Sequence, residues 1–353
     1  MSVTPRSVSP PRQRDDERTV TNDTPDAAGW HRLFEGNTFG LFLVLLVICA
    51  TFTAIRPHAF ATVFEARTVA TNAAVLMVIA VGMTFVIVTG GIDLSVGAVL
   101  VFSGVIAARV MRAGSASSLN DGWGIIAVGG IAALGSGLCW GVLNGVLVAK
   151  AKVPALIVTL GTLGAALGLA QILADDQDMH GIPARLNAQL GYGRVLGIPP
   201  LVIVAAVVTL VGGVTLVATR FGRHTTAIGS SAEASRRAGI NVDRHLVAIY
   251  ALQGTLAGLA GFLALAFYDT TGLSGHSFDS LNAITAVVIG GTSLFGGRGT
   301  IVGTAIGVFI PAVLSSGLNI VEVDASWQNV AVGAVLVIAV YIDQLRRRRR
   351  EAH

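Results

Sequence analysis

Asp93 is the one carboxylate set between two long apolar runs, in the segment Gly90, Gly91, Ile92, Asp93, Leu94, Ser95. A carboxylate there could accept hydrogen bonds from a polar solute, take part in gating, or accept from the free amides of a helix start. At a membrane helix centre it would cost roughly 2.5 to 3.5 kcal/mol, so it must face protein or water. Its place just ahead of the run from Leu94 predicts a helix N-cap, with solute contact and gating as open alternatives. A second break falls at Gly296, Gly297, Arg298 and Gly299, and Gly303 follows Gly296 at the offset by which Gly97 follows Gly90. Paired interruptions of this kind can mark irregular backbone around a pathway, and tight turns between helices explain them equally well. Asn144, Tyr250, Gln253, Asn282 and Thr285 lie inside apolar runs and each needs a hydrogen-bond partner in hydrocarbon. They suit helix-to-helix bonding or a weakly polar path for a neutral solute. Gly90, Gly91, Asp93, Ser95, Asn144, Asn282, Gly296 and Gly297 are therefore the pathway or gating candidates.

Other chemistry is poorly represented. A phosphate-binding P-loop needs lysine directly after glycine, but the only lysines, Lys150 and Lys152, each follow alanine. The chain is thus not expected to hydrolyse ATP. No zinc-ligand spacing or Ser/His/Asp arrangement stands out, so neither a metal nor a catalytic residue is predicted. Cys49 and Cys139 sit in apolar runs and are expected to be buried, inert thiols. No Lys, Arg or His is expected mid-span, which argues against a proton relay.

The elements that must position these residues follow from composition. Of 353 residues 53% are hydrophobic and 12% charged, and the mean hydropathy is +0.72, which places the chain in a bilayer. Ten apolar stretches are predicted as membrane helices: Phe39 to Ile55, Asn72 to Thr89, Leu94 to Val110, Trp123 to Val148, Ala155 to Leu173, Leu201 to Thr219, Leu246 to Phe267, Leu281 to Phe295, Ile301 to Gly317 and Trp327 to Ile342. The fold class expected is all-α, polytopic, with both termini cytoplasmic. In that threading 18 of the 24 basic residues fall inside, as cytoplasmic loops require. The net charge of +4 then reflects topology and not a nucleic-acid surface. Residues 1–36 are predicted as a disordered cytoplasmic tail, 37–345 as the membrane domain and 346–353 as a basic tail that meets lipid head groups.

The longest inside loop, Arg220 to Arg244, contains a short amphipathic helix over Ser231 to Ala238, flanked by Gly229 and Gly239. A cytoplasmic partner is expected to dock there, although a charged loop obeying topology would look similar.

With these landmarks assembled, the chain from about Phe39 to Asp343 resembles the ribose-type permeases of bacterial ABC sugar importers. The resemblance rests on Thr89 to Gly97 (TGGIDLSVG), Leu143 to Lys150, Val153 to Thr162, Phe221 to Val242, Ile289 to Gly307 and Ser316 to Asp343, in that order. It implies a plasma-membrane subunit that carries a monosaccharide and works with two cytoplasmic ATPase subunits, which bind ATP and Mg. An external sugar-binding protein and a second permease subunit complete the assembly. Residues Glu233, Ala234, Ser235, Arg236 and Gly239 match the family's ATPase-coupling loop, with Ser235 where a second alanine is usual. An ion-coupled secondary transporter and a passive channel are the alternatives, and neither gives the Ser231 to Gly239 segment a purpose.

Overall fold

The computed structural model describes residues 37–114, 122–276 and 278–324, with scattered positions between 327 and 341. Among the described residues the secondary structure is helical throughout, apart from one isolated bridge between Val195 and Ile198. Before the first break lie α1 (Asn37–Ile55), α2 (Pro57–Phe60) and α3 (Val63–Val88), and after it come α4 (Val96–Gly114), α5 (Trp123–Ala149) and α6 (Ala155–Leu173). A π-helical turn, Leu186–Gly191, precedes α7 (Pro200–Ala218), α8 (Arg220–Ser230), α9 (Ala232–Arg237) and α10 (Val242–Tyr268). The chain continues into α11 (Asp279–Ile289) and α12 (Ile301–Ile320).

Seven of these, α3, α4, α5, α6, α7, α10 and α12, are long and apolar enough to cross a membrane. Helix α1 covers the predicted Phe39 to Ile55 span, whereas the Leu281 to Phe295 span is cut short. In α1 the apolar part is Gly40–Ile55, and Leu281 to Phe295 is helical only to Ile289. At 1.5 Å per residue α11 covers about 16 Å, half a bilayer core. The predicted Trp327 to Ile342 span and both tails, 1–36 and 346–353, lie outside the described residues apart from scattered positions.

Membrane burial follows a different rule from soluble burial, because a helix that is apolar all round can face lipid. The most apolar 18-residue stretch of α3 is 89% buried in protein, that of α7 only 22%, although both are strongly hydrophobic. Helix α3 is the central post, packed by α7, α10, α11 and α12. The same rule corrects the cysteine expectation: Cys139 is exposed on α5 and Cys49 is half-buried.

The tightest pairing joins α5 to α10. Gly137, Gly141 and Gly145 fall four apart on α5, and Gly254 and Gly258 do so on α10, so each set lies along one helix face. A Cβ on Gly137 would overlap the Gly254 carbonyl oxygen, and a Cβ on Gly254 would overlap that of Gly137. The backbones therefore touch, which is how membrane helices gain packing energy where lipid supplies no hydrophobic drive.

Candidate functional site

Helix α3 ends at Val88 and α4 begins at Val96, so the first break spans Thr89 to Ser95. Non-helical backbone at membrane depth must be sheltered by protein. Asp93 is 2% exposed and Ser95 1%. One oxygen of Asp93, Oδ1, accepts from the Ser95 amide at 2.9 Å and from the Ser95 hydroxyl at 2.6 Å. The carboxylate thus closes a turn just ahead of the helix and does not cap α4 itself. That task falls to another helix: Ser280 Oγ, on α11, accepts from the Gly97 amide at 3.0 Å and donates to the Leu94 carbonyl at 2.8 Å.

Asn144, on α5, donates through Nδ2 to Ser95 Oγ at 2.9 Å, making Asp93, Ser95 and Asn144 one buried chain. The Tyr250 hydroxyl, on α10, lies against the break, since a Cβ on Gly91 would sit 2.7 Å from it. Tyr250 Oη and Asn144 Oδ1 are buried without a hydrogen-bond partner among the described residues. Asn282 is half-buried in the first turn of α11, and no described hydrogen bond joins it to Asp93. The cluster holds acceptors and donors suited to shaping a broken backbone. Among the described residues no group of three or more His, Cys, Asp or Glu gathers as a metal site would require.

The second break follows α11 and meets the first. Gly297 donates its amide to the carbonyl of Val88, the last residue of α3, at 2.8 Å. Gly296 and Gly297 have φ of +82° and +76°, and Gly90 has +79°, conformations that a side chain would strain. The two glycine pairs thus form one structural joint, although far apart in the chain.

Of the coupling residues, Glu233, Ala234, Arg236 and Gly239 are exposed and Ser235 is buried. Ser231 caps α9 through its hydroxyl, which accepts from the Ala234 amide at 3.2 Å, so the short helix spans Ala232–Arg237. Glu233 pairs with Arg237 one turn on. Gly239, at φ +85°, ends the helix. Asp243 accepts from Lys152 at 2.8 Å and Arg236 at 3.0 Å, tying the α5 to α6 turn to the α9 region on one face of the bundle. Beside α9 a cavity of about 450 Å³ opens between Phe221, His224, Gly239, Ile240 and Arg244. At the far end of the bundle, acid-rich loops meet: Leu273 donates its amide to Asp178 at 2.7 Å, and Met179 donates its amide to the Thr271 hydroxyl at 2.9 Å.

Two features escaped the sequence reading. Glu65, in the first turn of α3, is 8% exposed and accepts a hydrogen bond from Ser316 of α12, so Asp93 is not the only buried acid. The spacing of four in the α5 and α10 glycines was a legible signal that composition alone did not use.

With that geometry in view, the chain matches the family described as branched-chain amino acid transport system / permease component, over residues 66–340. It is similar to the ribose import permease protein RbsC of Escherichia coli (strain K12), 36% identical over 308 residues, covering 86% of this chain and 93% of that protein. The fructose import permease protein FrcC of Rhizobium meliloti is 34% identical over 314 residues, covering 87% and 85%. The D-allose transport system permease protein AlsC of Escherichia coli (strain K12) is 33% identical over 308 residues, covering 87% and 91%. No solved structure matches the chain.

Proposed function

The chain belongs to the family of branched-chain amino acid transport system / permease components, and from that premise we propose that it is the membrane permease subunit of an ATP-driven importer of a monosaccharide. The observation that carries this reading is the likeness, over most of both chains, to permeases named for ribose, fructose and D-allose import. A sugar is neutral and polar, which suits a bundle whose interior polar groups are mainly amides and hydroxyls, beside the two buried acids Asp93 and Glu65. In this reading ten spans thread the membrane with both termini in the cytoplasm. Residues 37–345 form the permease domain, between a cytoplasmic tail at 1–36 and a basic one at 346–353.

Energy comes from outside the chain. Two ATPase subunits, which hold ATP and Mg, dock on Glu233, Ala234, Ser235, Arg236 and Gly239. A second permease subunit completes the pathway, and an external binding protein delivers the sugar. The permease needs only two packings of similar stability that ATPase closure can bias. Gly90, Gly91, Asp93, Ser95, Asn144, Asn282, Gly296 and Gly297 serve as pathway or gating residues.

Reconstitution in proteoliposomes with its ATPase and binding protein tests the whole reading. Uptake of ribose, fructose or D-allose is expected only with ATP and loaded binding protein, and the chain alone is expected to hydrolyse none. Uphill uptake without an ATPase would overturn it, and leucine uptake in place of sugar would reassign the substrate.

Glu233→Gln is a second test, aimed at docking. The Glu233 pair with Arg237 is exposed on both sides, and pairs of that kind contribute only about 0.3–0.5 kcal/mol. The fold is therefore expected to survive while sugar uptake drops severalfold. Normal uptake in both Glu233→Gln and Gly239→Val would remove the docking assignment.

A further inference from the structure

The α8 helix ends at Gly229 and Ser230, one residue before α9, and this end is wedged into the joint between the two breaks. A Cβ on Gly229 would overlap the Val88 carbonyl oxygen and lie 2.5 Å from the Gly297 nitrogen. A Cβ on Gly296 would lie 2.9 Å from both the Gly229 oxygen and the Gly90 nitrogen, and one on Gly297 would lie 2.7 Å from Ser230 Oγ. Three chain segments, Val88 to Gly90, Gly229 to Ser230 and Gly296 to Gly297, thus touch backbone to backbone, locked by the Gly297 to Val88 hydrogen bond.

We infer that Gly229 is a positioning residue for transport: it passes displacement of the α9 docking helix directly to both membrane breaks. The path is short. Ser231 is at once the cap of α8 and the N-cap of α9, and its amide donates to the Ala227 carbonyl at 3.0 Å. A push on α9 therefore moves the end of α8 with little slack. That end bears on the terminus of α3, the most buried helix, and on the turn between α11 and α12. Close-packed interfaces with no room for a methyl group transmit such a shift instead of absorbing it. From the Val88 end, the first break leads within a few residues to Asp93 and the Asn144 chain, so one contact reaches the pathway candidates on both sides.

This inference rests on the proposed ATPase docking at α9. Its test is the ratio of sugar taken up to ATP hydrolysed, measured on assembled importer in proteoliposomes. In Gly229→Ala the methyl group must force α8 away from Val88 and Gly297, so that the docking helix moves without moving the breaks. The ratio is expected to fall at least tenfold while hydrolysis per assembled complex changes no more than twofold. Loss of folded complex alone would lower uptake and hydrolysis together and leave the ratio unchanged. Gly296→Ala presses on the same contact from the opposite side, with a smaller overlap but with added strain at its φ of +82°, and its ratio is expected to fall about threefold or more. It decides the matter where Gly229→Ala does not assemble. A wild-type ratio in an assembled variant would overturn the inference while wild-type ATP-driven uptake leaves the permease reading standing. Absence of that uptake in the wild type would overturn both.

Discussion

Gly254→Leu is expected to abolish recovery of folded, monodisperse protein in detergent, whereas Gly161→Leu leaves yield and thermal midpoint close to wild type. At Gly254 even a Cβ would overlap the Gly137 carbonyl oxygen and lie 2.7 Å from the Gly141 Cα and nitrogen. These are backbone atoms and cannot rotate aside. The two helices would have to separate by the width of a side chain, undoing the Gly141, Gly145 and Gly258 contacts along the same seam. Overpacking typically costs about 1–3 kcal/mol and occasionally more, and here the displaced group is a whole helix. At Gly161 nothing lies within 4 Å of the added Cβ, and the leucine would join the exposed apolar surface of α6. Recovery of Gly254→Leu with a midpoint within 2–3 °C of wild type, by the usual conversion of less than about 1 kcal/mol, would show that the seam is looser than the backbone contact requires.

Much of this arrangement is legible in the sequence, for reasons that are local. The amphipathic stretch flanked by Gly229 and Gly239 places α9, Ala232–Arg237, within one residue of the Ser231 to Ala238 expectation at each end. Both breaks are legible because glycine pairs interrupt otherwise unbroken apolar sequence. What joins them was not legible, since the Gly297 to Val88 hydrogen bond is a non-local contact between two glycine turns. Glu65 falls outside the predicted span, which starts at Asn72, because a helix start bearing Glu65 and Arg67 interrupts the apolar run. In the structure the Thr62 hydroxyl caps this turn by accepting from the Glu65 amide at 3.1 Å, and Ser316 satisfies the carboxylate. The exposure of Cys139 is not legible in the sequence, because apolar surroundings there do not distinguish a protein neighbour from a lipid one.

Asp93→Ala is expected to lower uptake at least tenfold in the reconstituted importer, while Asp93→Asn stays within about threefold of wild type. The contrast follows from which atoms the carboxylate uses. Among the described residues only Oδ1 is engaged, accepting from the Ser95 amide and hydroxyl, and an asparagine carbonyl oxygen in the same rotamer accepts both. Alanine removes the acceptor and leaves a buried amide and a buried hydroxyl unsatisfied, at about 1–3 kcal/mol for each group. Ser95 also accepts from Asn144, so its hydroxyl would be free to rotate and the hold of α5 on the break would loosen. Serine at position 93 gives an intermediate case, because its shorter side chain reaches the Ser95 amide only with a shift of backbone. Near-complete loss of uptake in Asp93→Asn, with folded yield preserved, would mean that negative charge itself is required, moving Asp93 from shaping the break to charge-dependent gating or direct contact with the solute. Wild-type uptake in Asp93→Ala would show instead that the break keeps its form without the carboxylate, leaving Ser280 and the Gly297 to Val88 bond to hold it.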